Sequence, residues 1–129
     1  MEYLADTVTI VRHFAKTGQI GKTAKFIIEE TEKGKNHIFI SVISLVEIMY
    51  LSQKMRININ LAETLQVINT SINYSTVDLT PHIVSIAETI DFPELFDRLI
   101  IATAEYLKIP ILTSDEKIQN MKNIKTIWK

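Results

Sequence analysis

The sequence predicts an α/β fold, a parallel β-sheet covered by helices on both faces. Three observations lead there. Short apolar runs of strand length alternate along the chain with longer runs of helical spacing. The strand-like runs are apolar throughout rather than alternating, as strands buried on both faces are. Four acidic residues, Asp6, Glu47, Asp97 and Asp115, each follow a strand-like run or lie in the first turns of a helix-like one. An α/β fold gathers such positions at one sheet edge.

Residues 3–5 begin a short strand that ends at Asp6-Thr7, and residues 9–15 read as a short helix. Gly18 and Gly21 punctuate the following turn. Residues 22–33 form an amphipathic helix with Ala24, Ile27, Ile28 and Thr31 on one stripe, stopped by Gly34. Residues 37–41 read as a buried strand, after which residues 43–54 switch to helical spacing. Asn60 followed by Glu63 resembles a capping box, with Asn in place of Ser or Thr, and opens a helix to about residue 71. Residues 75–79 are a strand. Thr80-Pro81 is a strong helix start, because Pro at the first helical position loses no needed hydrogen bond. That helix runs to about residue 90, where Asp91-Phe92-Pro93 breaks the pattern. Residues 97–107 are a nearly all-apolar helix, 110–113 a strand, 115–121 a short helix and 124–128 a last strand. No repeat, linker or low-complexity tract divides the chain, so residues 1–129 read as one domain.

Composition narrows the function classes. The chain has 129 residues, 47% apolar and 22% charged, enough for a single well-filled core. It has no cysteine, which excludes disulfides, zinc–cysteine sites and thiol nucleophiles and suits a reducing cytoplasm. The start, Met1-Glu2-Tyr3-Leu4, lacks the basic region of a signal peptide. The longest apolar stretch, residues 38–51, is broken by Ser41, Ser44 and Glu47. It falls short of the roughly 20 residues a membrane helix needs. Net charge is −1, which does not announce a nucleic-acid binder. Residues 57–97 hold six acidic side chains and no Lys or Arg. Without the four edge carboxylates, the net of −1 becomes +3, so a polyanionic substrate is allowed.

Each carboxylate has an ordinary explanation as well as a functional one. Asp6 could cap the helix after it, and Asp115, after Thr113-Ser114, could do the same. Asp97 could be a first-turn acid favoured by the helix dipole. Glu47 is harder to dismiss. It sits among Leu45, Val46, Ile48 and Met49, and the first basic residue after it is Lys54. A buried, unpaired carboxylate is costly, so Glu47 is expected to face a polar site. Glu94 lies four residues before Arg98, the spacing of a helical ion pair, and could otherwise reach a metal through water. Four converging carboxylates repel one another, and a cation or a shared proton must compensate. The pattern suggests a divalent-metal site and, with it, a phosphate-directed hydrolase. His13, His37 and His82 show no ligand spacing and read as structural. No Ser-His-Asp order or Gly-rich phosphate loop stands out among only three glycines. Trp128 reads as core rather than as a stacking platform.

Four stretches carry a family resemblance. They are Tyr3-Leu4-Ala5-Asp6-Thr7, then Ile40-Ser41-Val42-Ile43-Ser44-Leu45-Val46-Glu47-Ile48, then Glu94-Leu95-Phe96-Asp97-Arg98-Leu99-Ile100-Ile101-Ala102-Thr103-Ala104, and last Ile111-Leu112-Thr113-Ser114-Asp115-Glu116-Lys117-Ile118. In order and spacing the chain resembles the PIN domain, specifically the VapC-type toxins of toxin–antitoxin pairs. The third stretch is the most specific, and together they span essentially the whole chain. The resemblance implies a three-layer α/β/α sandwich with a five-stranded parallel sheet. It implies an Mg²⁺- or Mn²⁺-dependent ribonuclease that cuts structured RNA such as tRNA or ribosomal RNA. It also implies an antitoxin partner, a homodimer, and metal ligation by Asp6 and Asp97, with Glu47 and Asp115 completing the acidic site. Thr7, Thr113, Glu94 and Arg98 are secondary candidates at the same edge.

The chemistry is consistent with those residue types. Phosphodiester hydrolysis needs a deprotonated water and relief of charge on the phosphoryl oxygens, and metal ions supply both. Hard Mg²⁺ prefers carboxylate oxygens, which explains Asp and Glu rather than His or Cys. Two departures stand out. Val8 occupies a place where the family usually has a polar Asn, His or Ser. Position 94 is Glu rather than the common Asp. Val8 makes a non-cleaving domain that binds RNA or protein a conceivable alternative. It also argues against a haloacid-dehalogenase-like phosphatase, which needs a second Asp two residues after its nucleophile.

Overall fold

The computed structural model describes residues 1–129. The chain runs β1 (Glu2–Ala5), α1 (Thr7–Ala15), α2 (Lys22–Glu32), β2 (His37–Ser41), α3 (Val42–Gln53) and α4 (Leu61–Thr70). It continues with β3 (Tyr74–Val77), α5 (Pro81–Glu88), α6 (Leu95–Leu107), β4 (Ile111–Leu112), α7 (Glu116–Gln119) and β5 (Thr126–Ile127). The five strands form one sheet in the order β3-β2-β1-β4-β5, and every neighbouring pair is parallel. The chain therefore starts at the centre, builds outward through β2 and β3, then returns to build the other side. The reversal falls between β1 and β4, where Leu4 pairs with Ile111 and Ala5 with Leu112.

Side-chain alternation divides the core into two layers. Tyr3 and Ala5 of β1 join Ile38, Ile40 and Leu112 in one cluster, covered by Ile10, Ile27, Ile28, Ile48 and Ile68. Leu4 and Ile111 belong to the other, covered by Ile83, Ala87, Ile100, Ile101 and Ile118. Neighbouring residues of one strand face opposite sides of the sheet, so each short strand serves both layers. Helices α1, α2 and α4 thus cover one face, and α5, α6 and α7 the other. Helix α3 gives Ile48 to the first layer and Ile43 to the second. The result is the three-layer sandwich expected from the sequence. Leu4, Ile38, Ile40, Ile111 and Leu112 are almost wholly buried, each contributing about 1.5–3 kcal/mol by leaving water.

Element order agrees with the sequence, but several ends shift. Helix α1 opens at Thr7 rather than at residue 9, because Asp6 is the cap and its side chain accepts from the Thr9 N–H. Helix α6 opens at Leu95 rather than at 97, which leaves Asp97 in its first turn. Strand β3 begins at Tyr74, which is in register with Ile38 of β2. Strands β4 and β5 are only two residues each. Phe92, in the break between α5 and α6, is buried and anchors that connection. No helix is long and apolar enough to cross a membrane.

Candidate active site

The switch between β1 and β4 positions the site. Asp6 follows β1 directly, and Thr113 follows β4. Asp115 caps α7, Asp97 lies in the first turn of α6, and Glu47 lies in α3. These elements bring all four predicted carboxylates into one electrostatic neighbourhood. Asp97 feels Asp115, Glu47, Asp6 and Glu94 together.

A set of hydroxyl groups holds the carboxylates. Asp6 Oδ1 accepts from the Thr9 N–H at 2.9 Å and lies 2.7 Å from Thr9 Oγ1. The same hydroxyl lies 2.9 Å from the Leu112 carbonyl, so its single proton serves one acceptor or the other. Thr7 Oγ1 donates to Glu47 Oε1 at 2.6 Å. It is also 2.9 Å from Ser44 Oγ. Having given its only proton to the carboxylate, Thr7 receives that of Ser44. Asp115 Oδ1 accepts from the N–H groups of Lys117 and Ile118, at 2.8 and 3.2 Å. The Thr113 hydroxyl accepts from the Asp115 N–H at 3.0 Å. Asp6 and Asp115 are therefore helix caps as well as members of the acidic set. The two readings weighed from the sequence are compatible, since a carboxylate has two oxygens and each cap engages one.

Burial and like charge disfavour ionisation here. Burial pushes the Asp97 carboxyl from 3.8 up to about 6, helped by Asp115, Glu47, Asp6 and Glu94. Burial also raises Asp6, opposed by hydrogen bonds from Thr113 and Thr9, with Asp115 adding to the rise. Glu47 is raised by burial, held down in part by Thr7 and raised again by the Asp6 charge. These are the groups a divalent cation would stabilise in their charged form.

The donors suit a hard cation of the Mg²⁺ type. They are carboxylates only, with no sulfur or imidazole among them. The protein hydrogen bonds to Glu47 go to Oε1, and those to Asp115 go to Oδ1. Glu47 Oε2 and Asp115 Oδ2 are left without a protein donor. As placed, the side chains make no tight cage of three ligands. Asp6, Glu47 and Asp115 are turned toward their own hydrogen-bond donors.

Other candidates fall into place around this core. Glu94 is exposed at the N-cap position of α6 but makes no side-chain capping bond. It makes no ion pair with Arg98 either; the only link is from the Arg98 N–H to the Glu94 carbonyl at 2.9 Å. The helix begins too late for the side-chain pair expected from the spacing. Arg98 Nε is the one buried side-chain polar atom without a hydrogen-bond partner. Val8 is 45% exposed, pointing away from the core its residue type would suggest. The histidines lie elsewhere: His13 against Glu32, His37 against Ser75 and His82 against Tyr106. Sequence reasoning missed Thr9. Its signal was the spacing Asp-x-x-Thr, in which a helix cap and a residue three positions on face each other.

A doubly wound parallel sheet with carboxylates at its switch-point edge defines an acidic-edge α/β protein. Within that class the chain belongs to the PIN domain family, whose family model matches residues 3–124. No curated protein sequence matches it. Among the solved structures similar in fold are three from toxin–antitoxin or VapBC complexes. One is from the VapBC2 complex of Rickettsia felis bound to a DNA fragment from its promoter, 18% identical, TM-score 0.76, with 100% of each chain covered. Another is from a toxin–antitoxin complex of Klebsiella pneumoniae, 17% identical, TM-score 0.64, covering 97% of this chain and 95% of that one. The third is VapBC-1 from nontypeable Haemophilus influenzae, 15% identical, TM-score 0.64, covering 98% and 97%.

Proposed function

We propose that this chain is an Mg²⁺- or Mn²⁺-dependent endoribonuclease, the toxin of a type II toxin–antitoxin pair acting in the cytoplasm. The observation that carries this reading is the gathering of Asp6, Glu47, Asp97 and Asp115 at the sheet's switch point, where burial and like charge raise the Asp97 carboxyl. PIN-family membership and fold likeness to proteins described as VapBC or toxin–antitoxin complexes support it.

Asp6 and Asp97 would hold the metal, with Glu47 and Asp115 completing the acidic site. When bound, the metal supplies an activated water and neutralises charge on the phosphoryl oxygens. Thr7 fixes the direction of Glu47 through its 2.6 Å bond. Hydrogen bonds from Thr113 and Thr9 oppose, without cancelling, the rise that burial imposes on Asp6. Arg98 has no protein ion-pair partner, and its guanidinium is a candidate contact for substrate phosphate.

We further assign a homodimer and a cognate antitoxin as partners. On α3, Val46, Met49 and Tyr50 are exposed at helical spacing, an apolar stripe on one face. The antitoxin would block the site with a basic side chain that competes for the carboxylates. Arg suits this because its planar fork matches carboxylates bidentately.

One observation favours a second reading. Val8 puts an exposed apolar side chain beside the first motif, which suits a non-cleaving domain that binds RNA or protein. Purified protein incubated with RNA and Mg²⁺ or Mn²⁺, against a chelator control, separates the two. Metal-dependent cleavage lost in Asp97→Asn supports the nuclease. Binding with no cleavage supports the second reading. Expression alone and beside the neighbouring small gene tests the toxin assignment. Harmless expression alone, with no co-purifying neighbour product, would defeat it.

A further inference from the structure

We propose that Phe96 is the stacking platform for the nucleobase next to the scissile phosphate. The inference rests on the ribonuclease reading above. Phe96 is 42% exposed, although Phe is ordinarily among the buried residues. It sits in the first turn of α6, immediately before Asp97. With Leu95 it lines an open cleft of about 300 Å³ whose other walls are Glu47, Glu94 and Asp97. The exposed ring and two of the four site carboxylates therefore share one cleft.

The chemistry of that cleft limits what can lie against the ring. Its polar side chains are all carboxylates, which repel a phosphate and offer a base no donor while ionised. Leu95 and Phe96 are the only walls that attract a flat, uncharged surface. A phosphate reacting at Asp97 carries its own sugar and base within reach of that wall. Every base has a π-face, so stacking on Phe needs no matched hydrogen bonds and tolerates any sequence. The volume lies at the bottom of the range for small-ligand pockets, room for about one nucleotide. A base inside a duplex is already stacked and paired, and reaching the ring would cost its unstacking. Unpaired RNA incurs little of that cost.

The test begins with single-stranded RNAs and duplexes of the same sequence, cleaved by the wild type with Mg²⁺ and mapped for the cut. KM and kcat are then measured for Phe96→Ala, Phe96→Leu, Phe96→Tyr and Phe96→Trp. Phe26→Ala is the control, since Phe26 is exposed on α2 outside the site. Stacking predicts that Phe96→Ala raises KM about tenfold with kcat little changed. Phe96→Leu should match Ala, while Tyr and Trp restore KM. In an Asp97→Asn background, single-stranded RNA carrying 2-aminopurine beside the mapped cut should be quenched, and quenching should vanish in Phe96→Ala. An unchanged KM in Phe96→Ala, or full rescue by Leu, overturns the platform. So does loss of a dimer by Phe96→Ala with quenching intact, which gives the ring to a subunit interface. Wild-type protein that cuts RNA while every Phe96 variant behaves normally removes only the platform. Wild-type protein that cuts no RNA removes the ribonuclease reading as well.

Discussion

Thr7 Oγ1 lies 2.6 Å from Glu47 Oε1, tying the first turn of α1 to α3 across 40 positions of sequence. The bond is short and charge-assisted, and it is backed by Ser44 at 2.9 Å. It orients the carboxylate that the sequence singled out as least easily explained. Thr7→Val keeps the shape and removes the hydroxyl, leaving Glu47 and Ser44 without that partner. Denaturant unfolding should show a loss of about 1–3 kcal/mol, and metal-dependent cleavage should fall with it. An unchanged unfolding midpoint would mean that water replaces the hydroxyl at no cost.

Asp97 should make stability depend on pH in an uncommon direction. Its folded-state value, about 6, lies above the ordinary 3.8. Between those values the folded state binds the proton more tightly than the unfolded chain does, so stability falls as pH rises through the window. The contribution is fully present below about 3.8 and is lost above about 6. Thermal melts of metal-free protein should therefore show a steeper decline from pH 4 to 6 in the wild type than in Asp97→Asn. Parallel wild-type and variant profiles would deny Asp97 this role.

The same repulsion predicts the sign of a single charge removal. At neutral pH, Asp97→Asn relieves one of several crowded like charges. Cleavage should be abolished while the melting temperature stays the same or rises. A clear loss of stability with full nuclease activity would refute the site assignment.

Glu47→Gln separates charge from hydrogen bonding. The amide oxygen can still accept from Thr7, so the fold should survive. Mg²⁺ affinity measured by calorimetry should weaken about 10- to 100-fold, and activity should drop alongside. Unaltered affinity would return Glu47 to a structural role.

Gly21 predicts a defect unrelated to the carboxylates. A methyl group there would overlap the Trp128 backbone carbonyl. That carbonyl also accepts from the Ala24 N–H at 3.0 Å, fastening the tail after β5 to the start of α2. Gly21→Ala should cost about 1–3 kcal/mol by overpacking, read as a lowered melting temperature. Its backbone lies at φ −56, so steric contact and not the need for a special conformation is the cause.

The sequence by itself determined the layered α/β plan, the order of the elements and the membership of the acidic set. Those features are local. The apolar run of residues 37–41, the Thr80-Pro81 start and the stripe of Ala24, Ile27, Ile28 and Thr31 each reveal their element within a few positions. Glu47 was legible because a charge inside an apolar helix has few places to go. Tertiary structure alone decided where β4 inserts, and thus that Thr113 arrives beside Asp6. It also decided that Thr9 and Ser44 supply the supporting hydroxyls, that Glu94 leaves Arg98 unpaired, and that Phe96 stays in the open beside Asp97. The physical reason is reach. Backbone propensity and hydrophobic period act over one or two turns, whereas a contact such as that of Thr9 with the Leu112 carbonyl joins residues 103 positions apart. Such contacts exist only once the sheet has closed and set the distances.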